Sequence, residues 1–216
     1  TSKNMARITE FIKSYHPDVV GLIEVDSGSY RSEKDNQAAL IARELGHYHV
    51  FESKYEPLSP IQMLPVVNKQ VNAFLTSQEI RDQRFHYFDK GIKRLVIELI
   101  LNDLNIFLVH LSLKHRHRHD QLADLYSMVK DVEKPVIVAG DFNPRWGDRE
   151  IRLFLAATGL RNANREGLPS HPSWEPRREL DIILYSPEIR ITHFEMPRVD
   201  YSDHLPLVCD FEVEPA

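Results

Sequence analysis

Apolar residues recur along the chain at two periods, and the switching between them predicts the elements. Met5, Ile8, Phe11, Ile12 and Tyr15 share one helical face, and His16-Pro17-Asp18 ends that helix. Ala38, Ile41 and Leu45 form a second helical face, with Gly46 placed as its C-terminal cap. A third helix is predicted over 119–132, burying Leu122, Leu125, Tyr126, Val129 and Val132, and a fourth around 151–157, ended by Gly159. Alternating or continuous apolar runs at 19–25, 48–51, 71–76, 85–88, 93–101, 105–111, 180–185, 189–194 and 205–213 predict strands, with a turn at Asn102-Asp103. Polar stretches at 27–35, 58–68 and 161–178 are expected to be loops. Helices spaced among many strands, without repeat or linker, predict one domain of two packed sheets flanked by helices.

The run Val136-Ile137-Val138-Ala139-Gly140-Asp141-Phe142-Asn143-Pro144 carries the most information. Its first residues are apolar on both faces, as in a fully buried strand. Gly140 permits a close backbone approach, and Pro144 forbids further sheet pairing. Asp141 and Asn143, two apart on an extended chain, would project to one side of the strand's mouth. A carboxylate beside a carboxamide is suited to holding and activating a water. The same pair also suits an Asx turn.

Composition narrows the class. The 216 residues suffice for a substantial core, and 42% hydrophobic with 27% charged content matches a globular protein. No apolar run approaches the roughly 20 residues that span a bilayer, and the opening residues are not expected to be a signal peptide. The formal charge of −5 counts against an extended groove for a nucleic-acid backbone. Cys209, the lone cysteine, has no internal partner and sits in an apolar strand, which suggests a small core residue. Nothing here sets the compartment.

Several acids and histidines lie where apolar strands end. Glu24 closes one, His110 another, Asp181 opens a third, and Asp203-His204 precede a fourth. If these ends meet, four carboxylates share a small site, and a cation must relieve their repulsion. Hard oxygen donors with few sulfur or imidazole alternatives favour Mg²⁺ or Mn²⁺ over Zn²⁺. A carboxylate beside a histidine orients the ring and raises its basicity. That is equipment for phosphoester hydrolysis.

In order, the segments Pro17-Asp18-Val19-Val20-Gly21-Leu22-Ile23-Glu24-Val25, the strand ending in His110, Gly140-Asp141-Phe142-Asn143, Leu180-Asp181-Ile182-Ile183-Leu184 and Ser202-Asp203-His204-Leu205-Pro206 resemble the endonuclease/exonuclease/phosphatase superfamily. The resemblance implies a DNase I-like fold of class α/β: a four-layer α/β/β/α sandwich, two mixed sheets flanked by helices. It implies a Mg²⁺-dependent phosphoesterase, with Mn²⁺ as a substitute. Glu24 resembles the metal-binding glutamate and Asp203 an acid near the metal. Asp141 and Asn143 resemble the pair that orients the attacking water. His110 resembles a phosphate contact or proton donor, and His204 a partner that Asp181 orients. Asn72 resembles part of a Gly-Asn-Ala segment near the substrate, with Val71 here in place of the glycine.

Members normally begin with a strand that carries an asparagine or aspartate beside the metal. This chain begins at Thr1-Ser2-Lys3-Asn4, already at the first helix. The resemblance therefore implies a single domain, 1–216, truncated at its N-terminus, with metal binding and activity weakened until that strand is restored. Upstream sequence would also decide whether the domain sits behind a membrane anchor.

The expected substrate is a small phosphodiester, a phospholipid or a lipid-linked phosphate, acted on by a monomer. The alternatives are a DNA or RNA nuclease, and a binding module of the same fold without catalysis. Trp174 and Arg178 lie just before Asp181 and are expected to border the site. Trp174 either stacks on a substrate group or caps the sheet, and a nearby arginine either meets substrate or pairs with Asp181. His115-Arg116-His117-Arg118-His119 would suit an anionic group, but is expected to be a solvated loop entering the third helix.

Overall fold

Two main sheets face each other, and the alternation of side chains along their strands accounts for the layers. The computed structural model describes residues 2–27, 36–53, 70–145 and 149–214. Helix α1 (Ser2–Ser14) leads into β1 (Val19–Asp26), α2 (Gln37–Leu45), β2 (Tyr48–Ser53) and β3 (Gln70–Thr76). These strands form an antiparallel sheet of order β1-β3-β2. Ala73 and Leu75 of β3 pack outward with Ala38, Ile41 and Ala42 of α2, while Phe74 between them faces the inter-sheet core. Asn36 caps α2, accepting the Ala39 N–H at 3.2 Å, and Gly46 ends it at φ +70°. Asn36→Ala is expected to lower stability by about 1 kcal/mol, seen as a lower urea midpoint.

The second sheet holds six strands in the order β4-β5-β6-β7-β9-β8. They are β4 (Asp82–Tyr87), β5 (Leu95–Ile100), β6 (Asn105–His110), β7 (Val136–Asp141), β8 (Arg161–Asn162) and β9 (Asp181–Tyr185). The sheet is mixed because β6 and β7 run parallel, whereas their outer neighbours pair antiparallel. A parallel pair needs a crossover, and α3 (His115–Val129) supplies it. Phe107 and Val109 of β6 pack under α3 and α4 (Arg152–Thr158), while Ile106 and Leu108 meet the facing sheet. The antiparallel pair β10 (Ile189–Glu195) and β11 (Val208–Val213) adds Ile191, Phe194, Cys209 and Phe211 to the same inter-sheet core. Burial pushes the Cys209 thiol up to about 11, so it packs rather than reacts. The result is the four-layer α/β/β/α sandwich of the DNase I-like class.

Several boundaries differ from the sequence pattern. α3 starts at His115, four residues early, because Arg118 is buried. Its guanidinium donates to Glu150 at 2.8 Å and to the carbonyls of Ser112 and Leu113 at 2.9 Å each. The stretch 115–119 is therefore the first turns of a helix rather than a loop. At its other end α3 stops at Val129, short of Val132. Strand β11 starts at Val208, since the Leu205 N–H is taken by the Ser170 carbonyl and Pro206 has none. The expected loop at 161–178 contains β8, which pairs with the end of β9. Most of the expected loops at 27–35 and 58–68 lies outside the described residues.

Candidate active site

Sheet register brings the chemistry into a row. His110 is paired with Asp141 across the parallel β6/β7 ladder, and Asp141 with Asp181 across β7/β9. Three adjacent strands thus present an imidazole and two carboxylates side by side at one edge. His110 Nε2 lies 3.1 Å from Asp141 Oδ2, with both side chains buried. His204 reaches this row from the segment before β11, its Nδ1 2.6 Å from Asp181 Oδ2. The Ser170 hydroxyl donates to the same oxygen at 2.7 Å and accepts the Leu180 and Asp181 N–H groups. Asp181 is thereby fixed before it orients His204.

Asp141 and Asn143 are not arranged as an extended chain would place them. Asn143 has φ +50°, and its N–H donates to Asp141 Oδ1 at 3.0 Å. The Asx turn and the acid/amide pair are one object. The Asn143 side-chain amide donates to the Leu111 carbonyl at 3.1 Å, tying the loop after β6 to the loop after β7.

Glu24 approaches from the other sheet. A register shift in β1 between Leu22 and Val25 leaves Glu24 at φ +57°. Its N–H, lost to the ladder, donates to Asn72 Oδ1 at 3.1 Å. Asn72 is buried, with Nδ2 making no hydrogen bond, so it acts here as a brace for the bulge. The Glu24 carboxylate lies 3.6 Å from Lys93 Nζ and 3.7 Å from His110 Nδ1. Lys93 also contacts His110 Nε2. Lys93 escaped the sequence reading; Gln121 of α3 holds it by donating to its carbonyl at 2.8 Å and to that of Lys90 at 2.9 Å.

Two groups could hold a cation, each with its donor atoms within 4.8 Å of one another: Asp141, Asp181 and His204; and His171, Asp203 and His204. Glu24 and Asp203 do not share a group among the described residues. Trp174 is 76% exposed, in a segment stitched to the His204 loop by the Ser173 N–H donating to the Asp203 carbonyl at 2.8 Å. Arg178 is exposed, its carbonyl accepting the Ser170 and His171 N–H groups. Two open depressions of about 450 and 400 Å³ share His115 and are lined mainly by basic and imidazole side chains, Lys114, Arg145 and Arg149 among them. None of the residues in the row lines them.

Burial alone would lower the His204 pKa, but the hydrogen bond and charge of Asp181, with Asp141 and Asp203 behind it, outweigh burial and hold it above 6.5. Asp181→Asn is expected to bring that pKa down, as followed by NMR titration of the ring protons; an unmoved pKa would mean that the other carboxylates set it.

The arrangement carries a family signature across most of the chain. Residues 1–204 match the Endonuclease/Exonuclease/phosphatase family. The chain belongs to this family. Members of the endonuclease/exonuclease/phosphatase family are phosphoesterases and nucleases, generally dependent on a divalent metal. Over 113 residues, 51% of this chain, it is 30% identical to a UPF0294 protein of Vibrio cholerae serotype O1, and the match spans 39% of that relative's length. The human Nocturnin catalytic domain with bound sulfate superposes with a TM-score of 0.75 at 24% identity, covering 98% of this chain and 87% of that one. A conserved protein of unknown function from Enterococcus faecalis V583 gives 0.77 at 13% identity, covering 99% and 92%. These two likenesses show the fold. No helix among the described residues is long and apolar enough to cross a membrane.

Proposed function

We propose that this chain is a Mg²⁺-dependent phosphoesterase of the endonuclease/exonuclease/phosphatase family, hydrolysing a small phosphodiester or a lipid-linked phosphate. The observation that carries the reading is the His110–Asp141–Asp181 row with His204 hydrogen-bonded at 2.6 Å to Asp181. The donor chemistry fits a hard divalent cation: carboxylates gather here with imidazoles, and their mutual repulsion calls for positive charge. Asp141 and Asp181, whose oxygens gather beside His204, would sit nearest the ion, with Glu24 on the His110 side and Asp203 on the His204 side. When bound, it supplies charge that offsets the phosphoryl oxygens.

The chain's own residues do the rest. Asp141, fixed by the Asn143 N–H, accepts a proton from an attacking water, and the Asn143 carboxamide orients it. His204, protonated more readily than a free imidazole, donates a hydrogen bond to a phosphoryl oxygen or leaving group. His110 and Lys93 add donors on the Glu24 side. Trp174 and Arg178 border the entrance and meet the rest of the substrate.

The formal charge of −5 favours a compact substrate over a nucleic-acid duplex. The test compares hydrolysis of bis(p-nitrophenyl) phosphate, a phosphatidyl substrate in mixed micelles, and supercoiled plasmid, each with Mg²⁺ and with EDTA. Activity on the first two, abolished by EDTA and restored by Mg²⁺, is the expected result. Plasmid nicking as the dominant activity would replace the substrate assignment, and full activity in EDTA would overturn the metal requirement.

A further inference from the structure

His171 is unused by the hydrolytic site, yet it stands against it. Its ring centroid is 4.7 Å from that of His204, at 52° to it, and its Nδ1 is buried without a hydrogen-bond partner. Donor atoms of His171, Asp203 and His204 all lie within 4.8 Å of one another. Asp181 occupies His204 Nδ1, so Nε2 is the nitrogen with which His204 can ligate. A carboxylate on the far nitrogen is the partner that metal-bound histidines usually have, because it fixes the ring and raises its basicity. Backbone bonds hold the spacing without any ion. The Ser173 N–H donates to the Asp203 carbonyl and the Leu205 N–H to the Ser170 carbonyl, each at 2.8 Å.

We propose that His171, Asp203 and His204 form a second, nitrogen-rich cation site that takes Zn²⁺ in preference to Mg²⁺, and that an ion held there withdraws His204 from hydrolysis. Two imidazoles and a carboxylate are the donor set of three-ligand zinc sites, with a fourth position left to water. Mg²⁺ prefers oxygen donors and does not give up its waters for two nitrogens. The site has His171 and Asp203 of its own and shares His204 with the oxygen-rich group assigned to Mg²⁺. The inhibitory half rests on the phosphoesterase reading; the binding half does not.

The two halves separate experimentally. Metal-free full chain is titrated with Zn²⁺ against a chromophoric chelator, in the presence of millimolar Mg²⁺, for the parent and for His171→Phe, which keeps a ring against His204. The expected result is one Zn²⁺ per chain, bound about tenfold or more weaker by His171→Phe. Asp203→Asn, at an exposed position, is expected to weaken it likewise and guards against a folding defect in the first variant. Co²⁺ in place of Zn²⁺ should give visible d–d absorption in the parent that is diminished in His171→Phe. Equal Zn²⁺ affinity in the parent and both variants would overturn the site. Phosphodiester hydrolysis under Mg²⁺ is then expected to fall with stoichiometric Zn²⁺ in the parent and to persist in His171→Phe; equal inhibition of both would overturn the inhibitory role. Zn²⁺ held through His171 in a chain that hydrolyses no phosphoester would sustain the site and sink the hydrolase reading instead.

Discussion

Replacing His204 with alanine is expected to cut turnover about 10²-fold or more, the usual scale for losing a positioned acid or base, while leaving the fold intact. The ring is only partly buried, and its segment is held by backbone bonds that the side chain does not make: Leu205 N–H to Ser170 and Ser173 N–H to Asp203. What the substitution removes is a donor pre-aimed by Asp181 at 2.6 Å, which is itself held by the Ser170 hydroxyl. A parallel signature appears in stability. A pKa held above 6.5 in the fold means that protonated His204 stabilises the native state fully below about pH 6.5. That contribution fades as pH rises through the folded value. His204→Ala should therefore be more destabilising relative to the parent at pH 5 than at pH 8, as urea midpoints would register. An unchanged kcat under saturating Mg²⁺ would remove His204 from the mechanism.

The acids of the row were legible because each sits where an apolar run ends, and a charged residue there serves no packing purpose. Register did the remainder: β6, β7 and β9 align His110, Asp141 and Asp181 in one line, which their separate positions in sequence do not reveal. Lys93 was not legible. A lysine at the start of a predicted strand carries no signal, and its place depends on Gln121 of α3 donating to its carbonyl. Ser170 and His171 were expected at the border of the site from their place just before Asp181, but the bond from the Ser170 hydroxyl to Asp181 was not legible. The start of α3 was missed because Arg118 looks like a surface residue, and only a partner 32 positions away, Glu150, makes it a core one. Glu24 was placed at a strand end, but the bulge that turns it inward needs Asn72 to take its N–H. In each case the missing information was a long-range hydrogen bond, which periodicity cannot carry.

Gly140 offers the strongest test of how the row is built. Its φ is +145°, and a Cβ there would fall 1.9 Å from the Val109 carbonyl oxygen and 2.9 Å from the carbonyl carbon. Those atoms are backbone of β6, paired with Gly140 in the parallel ladder, so no side-chain rotation relieves the contact. The two strands would be forced apart immediately before His110 and Asp141. Gly46 supplies the contrast: at φ +70° its Cβ would meet nothing within 4 Å, so Gly46→Ala bears only the left-handed backbone cost of about 1–2 kcal/mol. Gly140→Ala adds a main-chain clash to an unfavourable conformation and is expected to lose about 4 kcal/mol or more, in the range reserved for core disruption. Urea denaturation of both variants measures the difference, with the midpoint falling far more for Gly140→Ala at similar slope. Because the separation opens beside the row, the folded fraction of Gly140→Ala should also bind Mg²⁺ more weakly and turn over more slowly than folded Gly46→Ala. Comparable midpoints for the two would show that β6 and β7 tolerate a wider spacing, and that Gly140 is not what sets His110 against Asp141.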